Sequence, residues 1–112
     1  MSRHDPVVSL REMLDFAEKA LLYGAGKSEQ DLINDEVLEL ALVRLLETLG
    51  EAASRIPPEE QAHHAHLPWR QMIGFRNVLA HGYDKLNMGI VVAAIATDLP
   101  PLVVQLHAIL DS

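Results

Sequence analysis

Between Val37 and Leu49 nine of thirteen residues are apolar: Val37, Leu38, Leu40, Ala41, Leu42, Val43, Leu45, Leu46 and Leu49. Asn34-Asp35-Glu36 stands just before this run as a capped, dipole-matched helix start, and Ile56-Pro57-Pro58 stops it just after Arg55. A helix that is apolar nearly all round is buried on more than one side. A chain of 112 residues has few places for such a helix, so the surplus apolar surface reads as a subunit interface. Apolar residues make up 49 % of the chain but aromatics only 4 %, so the core must be built from Leu, Val, Ala and Ile. That is the composition of packed helices. The fold class expected is all-α, one domain over residues 1–112, an up-and-down bundle of four main helices.

The other helices follow from their own punctuation. Asp5-Pro6 supplies a cap acceptor and a residue suited to the first helical position. Val7, Leu10, Leu14, Ala17 and Leu21 then set one stripe along a first helix that stops at Gly24-Ala25-Gly26. Ser28, with Glu29 and Asp31, caps a short turn before the main second helix. A third helix opens at Pro68-Trp69 and closes at Gly82, with Asp84 to Asn87 as the turn that follows. The fourth begins near Asn87. Its apolar positions Val91, Ile95, Leu99, Leu102, Leu106 and Ile109 keep phase through Pro100-Pro101, which predicts one kinked helix rather than two.

Several classes of function are disfavoured at this level. The chain has no cysteine, hence no disulfide framework or thiolate metal site. The first residues hold no apolar signal core, and the longest apolar run, Gly89 to Ala96, ends at Thr97-Asp98, short of the roughly 20 residues of a bilayer span. A cytoplasmic protein with no membrane association is expected. The net charge of −7 argues against a bulk electrostatic grip on nucleic acid, so any RNA contact must be local and no DNA partner is expected. His63, His64 and His66 invite a metal-dependent hydrolase reading. Exposed loop histidines are the default, because no Cys, Asp or Glu within that short run completes a ligand set.

Polar chemistry is concentrated in Pro68 to Tyr83, which holds the only Trp, one of two Phe and one of two Tyr. Within it lie Arg76, Asn77, His81 and Tyr83. Residues five apart on an α-helix differ by about 140° around the axis and residues four apart by about 40°. Arg76 and His81 therefore do not share a face, whereas Asn77 and His81 do. One copy cannot easily aim both at a single phosphate unless the arginine wraps round or the helix unwinds near Gly82. Two copies related by a dyad would place two arginines and two histidines in one cleft. Such a set suits metal-independent RNA cleavage: one imidazole removes the ribose 2′-hydroxyl proton, another protonates the leaving oxygen, and guanidinium groups neutralise phosphate charge. Taken singly, each residue also has an ordinary role. Arg76 can be salt-bridged, His81 a helix-end histidine favoured by the macrodipole, and Tyr83 a packing residue.

The segment Arg76-Asn77-Val78-Leu79-Ala80-His81-Gly82-Tyr83 resembles the core motif of the HEPN superfamily, in its HepT-like branch. Leu49-Gly50-Glu51-Ala52-Ala53, Pro68-Trp69-Arg70 and Asp98-Leu99-Pro100 resemble further family stretches, in order across about two thirds of the chain. The resemblance implies a homodimeric ribonuclease toxin of a type VII toxin-antitoxin module. Its implied partner is an MntA-like nucleotidyltransferase antitoxin that uses ATP and magnesium. For this chain it implies catalytic roles for Arg76 and His81, a supporting role for Asn77, and AMP acceptance by Tyr83, with no cofactor or metal of its own. A non-catalytic helical partner of a minimal nucleotidyltransferase would keep the fold, the dimer and Tyr83, and would account better for the acidic charge.

Overall fold

The computed structural model describes residues 5–111 except 82–87, with the backbone alone for residues 77–81. Every regular element among the described residues is helical, as the aliphatic composition requires. The elements are α1 (Pro6–Gly24), α2 (Glu29–Ile33), α3 (Glu36–Ser54), α4 (Pro58–His63), α5 (Trp69–His81), α6 (Met88–Ala93), a π-helical turn (Ala94–Asp98) and α7 (Leu99–Leu110). The expected helix end at Gly82, the turn from Asp84 to Asn87 and Tyr83 lie outside the described residues.

Local capping chemistry sets the helix starts. The Asp5 carboxylate accepts the Val7 N–H at 2.9 Å with Pro6 in the first turn, and Asp35 accepts the Leu38 N–H at 3.1 Å. Ser28 and Asp31 form a reciprocal capping box around α2, with distances of 2.9 and 3.1 Å. The Ser28 backbone N–H, and then its hydroxyl, hold the Asp31 carboxyl below the usual carboxylate range. After α1 the chain turns at Gly26, whose φ of +79° is a conformation that side chains disfavour.

Helix α3 packs between α1 and α5, and α1 in turn carries α7, so the long elements follow one another as α5, α3, α1, α7. Leu42, Leu46, Leu49, Ala52 and Ala53 of α3 are buried, while Leu38, Val43 and Leu45 pack partly covered against the core. The apolar excess of this helix therefore narrows to Val37 and Leu40, which are exposed.

The face of α1 differs from the expected stripe. Leu10, Met13, Ala17, Ala20 and Gly24 are buried, Leu14 and Leu21 only partly so, and Val7 is exposed. The rotation follows from small residues. A Cβ at Gly24 would stand 2.7 Å from Ile95 Cδ1 and 3.1 Å from Leu42, so the bare backbone lets α3 and the π-turn approach.

The last helix runs without a break from Met88 to Leu110, 23 residues in which Asp98 is the one Asp, Glu, Lys or Arg. By length and composition alone it could cross a membrane, although its longest uninterrupted apolar run remains Gly89 to Ala96, as counted from sequence. In the fold its Val91, Ile95, Leu99, Leu102 and Leu106 are buried in the bundle, and Ile109 packs partly covered against it. Phase is kept through the prolines by a π-turn, closed by the Leu99 N–H donating to the Ala94 carbonyl. Pro100 and Pro101, which have no N–H to give, follow in the first turn of α7.

Candidate active site

The site is built on α5, whose entry is fixed from several directions. Trp69 is buried and its indole N–H donates to the His64 carbonyl at 2.9 Å. The Met72 N–H reaches the Pro68 carbonyl at 3.0 Å. Trp69, Met72 and Phe75 are buried at spacings of three, giving α5 its core face. Arg76 comes one residue after Phe75 and borders that face, where it is partly buried.

Arg76 is held by α3. Its Nη1 donates to Ser54 Oγ at 3.2 Å, and the Ser54 hydroxyl donates in turn to the Glu51 carbonyl at 2.7 Å. The serine thus gives its proton to the backbone and presents a lone pair to the guanidinium, a charge-assisted arrangement that fixes one edge of the arginine. The approach is possible because position 50 has no side chain. A Cβ there would lie 2.7 Å from the Met72 carbonyl oxygen and 3.0 Å from the Arg76 backbone nitrogen. Gly50, Ala53 and Ser54 share one face of α3 at spacings of three and four.

Arg44, Glu47, Glu51 and Arg55 form a chain of ion pairs along α3, with closest N–O distances from 3.0 to 3.9 Å. Arg55 extends it to Glu12 of α1 at 3.8 Å. These pairs are largely solvated and contribute little to stability.

Of the residues singled out by sequence, Arg76 is placed against Ser54. The α5 backbone continues through His81, so the angular offset of about 140° between positions 76 and 81 applies to an unbroken helix. The side chains of Asn77 and His81, and all of Tyr83, lie outside the described residues. In the His63, His64 and His66 stretch, His63 Nδ1 is 3.7 Å from the Glu60 carboxylate, and the rings of His64 and His66 stand edge to face at 6.4 Å. Among the described residues, no three His, Cys, Asp or Glu side chains converge as a metal set.

Sequence reasoning missed Ser54 altogether. It had quoted Gly50 for likeness alone, although the small residues at 50, 53 and 54 are the signal of a close helix crossing.

An all-helical domain with an arginine held at a helix crossing, five residues ahead of the last-turn histidine position, is the arrangement expected of helical nucleases of the HEPN kind. Residues 12–109 match the family described as Ribonuclease HepT-like, and the chain belongs to that family. It is 38 % identical over 86 residues to "Putative RNase TTE0752" of Caldanaerobacter subterraneus subsp. tengcongensis, covering 77 % of each chain. It is 32 % identical over 73 residues to "Probable ribonuclease HepT" of Thermococcus cleftensis, covering 65 % of this chain and 66 % of that one. A third relative, "Putative RNase MJ1380" of Methanocaldococcus jannaschii, is 26 % identical over 102 residues, 91 % of this chain and 94 % of its own. No solved structure matches the chain.

Proposed function

We propose that this chain is the ribonuclease toxin of a type VII toxin-antitoxin pair, cleaving RNA without a metal at a site shared by two copies. The observation that carries this reading is the placement of Arg76. It is anchored to Ser54 on an unbroken helix that puts position 81 on a different face. A second copy joined across the α5 side supplies the missing half of the constellation. In the reaction, the His81 imidazole of one copy takes the 2′-hydroxyl proton and the 2′-oxygen attacks phosphorus. The bond to the 5′-oxygen breaks as the other His81 protonates it, while Arg76 neutralises the phosphorane charge. The products are a 2′,3′-cyclic phosphate and a 5′-hydroxyl. Asn77, one turn before His81, orients the imidazole or contacts the phosphate.

Silencing comes from a cognate MntA-like nucleotidyltransferase that transfers AMP from ATP to Tyr83. An anionic adenylate two residues from His81 fills the cleft and repels an RNA phosphate. Purified protein incubated with labelled RNA in the presence of chelator is expected to give cyclic-phosphate ends, and His81→Ala none. Intact mass after co-expression with the nucleotidyltransferase is expected to rise by one adenylate, with Tyr83→Phe remaining unmodified and toxic. The net charge of −7 favours a second reading, a non-catalytic partner that docks on the nucleotidyltransferase. Wild-type dimer that leaves RNA intact would decide for it.

A further inference from the structure

The proposed reaction leaves one arginine of α5 without a task. Arg70 is exposed and makes no hydrogen bond or ion pair to any described residue. Lys19, Arg44 and Arg55 each meet a carboxylate, Arg76 meets Ser54, and Lys27 lies near enough to Asp31 to help keep it ionised. The helix around Arg70 is cationic as well. Trp69 to His81 holds two arginines and a histidine and no aspartate or glutamate, in a chain whose net charge is −7. Arg70 also stands in the first turn of α5, where the macrodipole disfavours a positive side chain. With no described carboxylate to offset that, it does not serve the stability of the helix.

The helix sets its direction. At 100° per residue, positions 70, 74, 77 and 81 fall within about 60° of one another, on the side of α5 opposite Met72. Arg76 lies about 120° away from Arg70 and is turned to α3. Arg70 therefore shares the face of position 81, and Arg76 does not. Between them Gly74 adds no side chain, and a Cβ there would meet nothing within 4 Å, so the strip is low and open. From 70 to 81 is eleven helical residues, about 16 Å along the axis. A strand with its scissile phosphate at position 81 that follows α5 brings another part of its backbone under the Arg70 guanidinium.

We propose that Arg70 is a further RNA-binding residue, holding a phosphate apart from the scissile one as a single strand runs along the 70–74–77–81 face of α5. The register of that strand rests on the ribonuclease reading above. A guanidinium fork against phosphate oxygens gives affinity without base readout, so the contact adds grip and no sequence preference. It also supplies the local hold that an acidic chain needs in order to keep a polyanion.

The test measures binding apart from cleavage. A fluorescent RNA dodecamer with 2′-O-methyl riboses lacks the attacking hydroxyl and stays intact, and its affinity for the full chain is read by anisotropy. Arg70→Gln binds it about tenfold more weakly. The same variant lowers the slope of log affinity against log salt by about 0.7, the share of one phosphate on a single strand. Arg70→Lys keeps the charge, and with it the slope and part of the affinity. Arg11→Gln makes the same change of charge at an exposed arginine of α1, beyond α3, and stays within about twofold. With unmodified RNA the loss in Arg70→Gln falls on KM more than on kcat. Melting of each variant matches the wild type. No binding by the wild type, unchanged affinity or slope in Arg70→Gln, or an equal loss in Arg11→Gln would overturn the proposal. So would dissociation of a wild-type dimer by Arg70→Gln, which would make Arg70 an interface residue. Binding that depends on Arg70 while unmodified RNA stays intact would keep this contact and remove the nuclease. Cleavage with binding indifferent to Arg70 would do the reverse.

Discussion

The two ends of α3 solve opposite problems. At its C-terminal end Gly50, Ala53 and Ser54 have so little bulk that α5 comes within backbone contact, and the one polar group there, the Ser54 hydroxyl, is engaged on both sides. At its N-terminal end Val37 and Leu40 are large, apolar and exposed, interleaved in sequence with Glu36 and Glu39. Both ends read as apolar in composition. Only the first is fully part of the core, so apolar content along one helix separates into a region that fixes geometry and a region whose outer side chains stay in solvent.

The widest gap between the two ends is expected in activity. Arg76→Ala should cost about 10²–10³-fold in RNA cleavage, and His81→Ala about 10²–10⁴-fold, with melting temperature retained. Val37→Gln/Leu40→Gln should cleave like the wild type, and a comparable loss in that variant would erase the distinction.

Next in size is packing at the crossing. Gly50→Val places a side chain against the backbone of Met72 and Arg76, and should lower stability by about 3 kcal/mol. A melting temperature within a few degrees of wild type, read by calorimetry, would mean that the helices separate easily there.

A smaller effect is expected at Ser54. Ser54→Ala leaves one edge of the Arg76 guanidinium without its acceptor and should lower kcat about five- to tenfold with KM little changed. Ser54→Thr keeps the hydroxyl and should recover most of it. If Thr and Ala behave alike, the hydroxyl is not what positions the arginine.

The open end has a pH-dependent link of its own. His107 of α7 lies 3.0 Å from Glu18, one turn before Leu22 on α1, and 3.2 Å from Asp111. The Glu18 carboxylate, and then Asp111, raise the imidazole above its ordinary range. The contribution is therefore fully present below the unfolded-state value and fades as pH climbs through the raised folded-state value. His107→Gln should flatten this slope in denaturant titrations across neutral pH, and an identical slope would remove the link. The least effect of all is expected from Leu40→Gln on folding, within about 0.5 kcal/mol by urea titration.

Legibility in the sequence followed the range of the interaction. Asp5, Ser28 and Asp35 announce their helices because a cap bonds a backbone N–H two or three residues away. The helical phase of Val91 to Ile109 was legible for the same local reason, although the π-turn that preserves it was not. The buried face of α1 was only partly readable, since the choice of Met13 and Ala20 over Val7 and Leu14 is made by α3 and the last helix. The motif around Arg76 marked the candidate site, but the Ser54 that anchors Arg76 lies 22 residues away and no local pattern pairs them.

The glycine at position 50 also has a consequence for motion. Where two helices meet through long side chains, rotamer changes let them slide and breathe. Here the contact is backbone on backbone, with no torsion available to absorb a displacement, so α3 and the middle of α5 must move as one rigid body. The Cα of Arg76 is then a fixed pivot in the frame of α3, and any adjustment of the guanidinium is left to the four torsions of its side chain, against the hold of Ser54 on one edge.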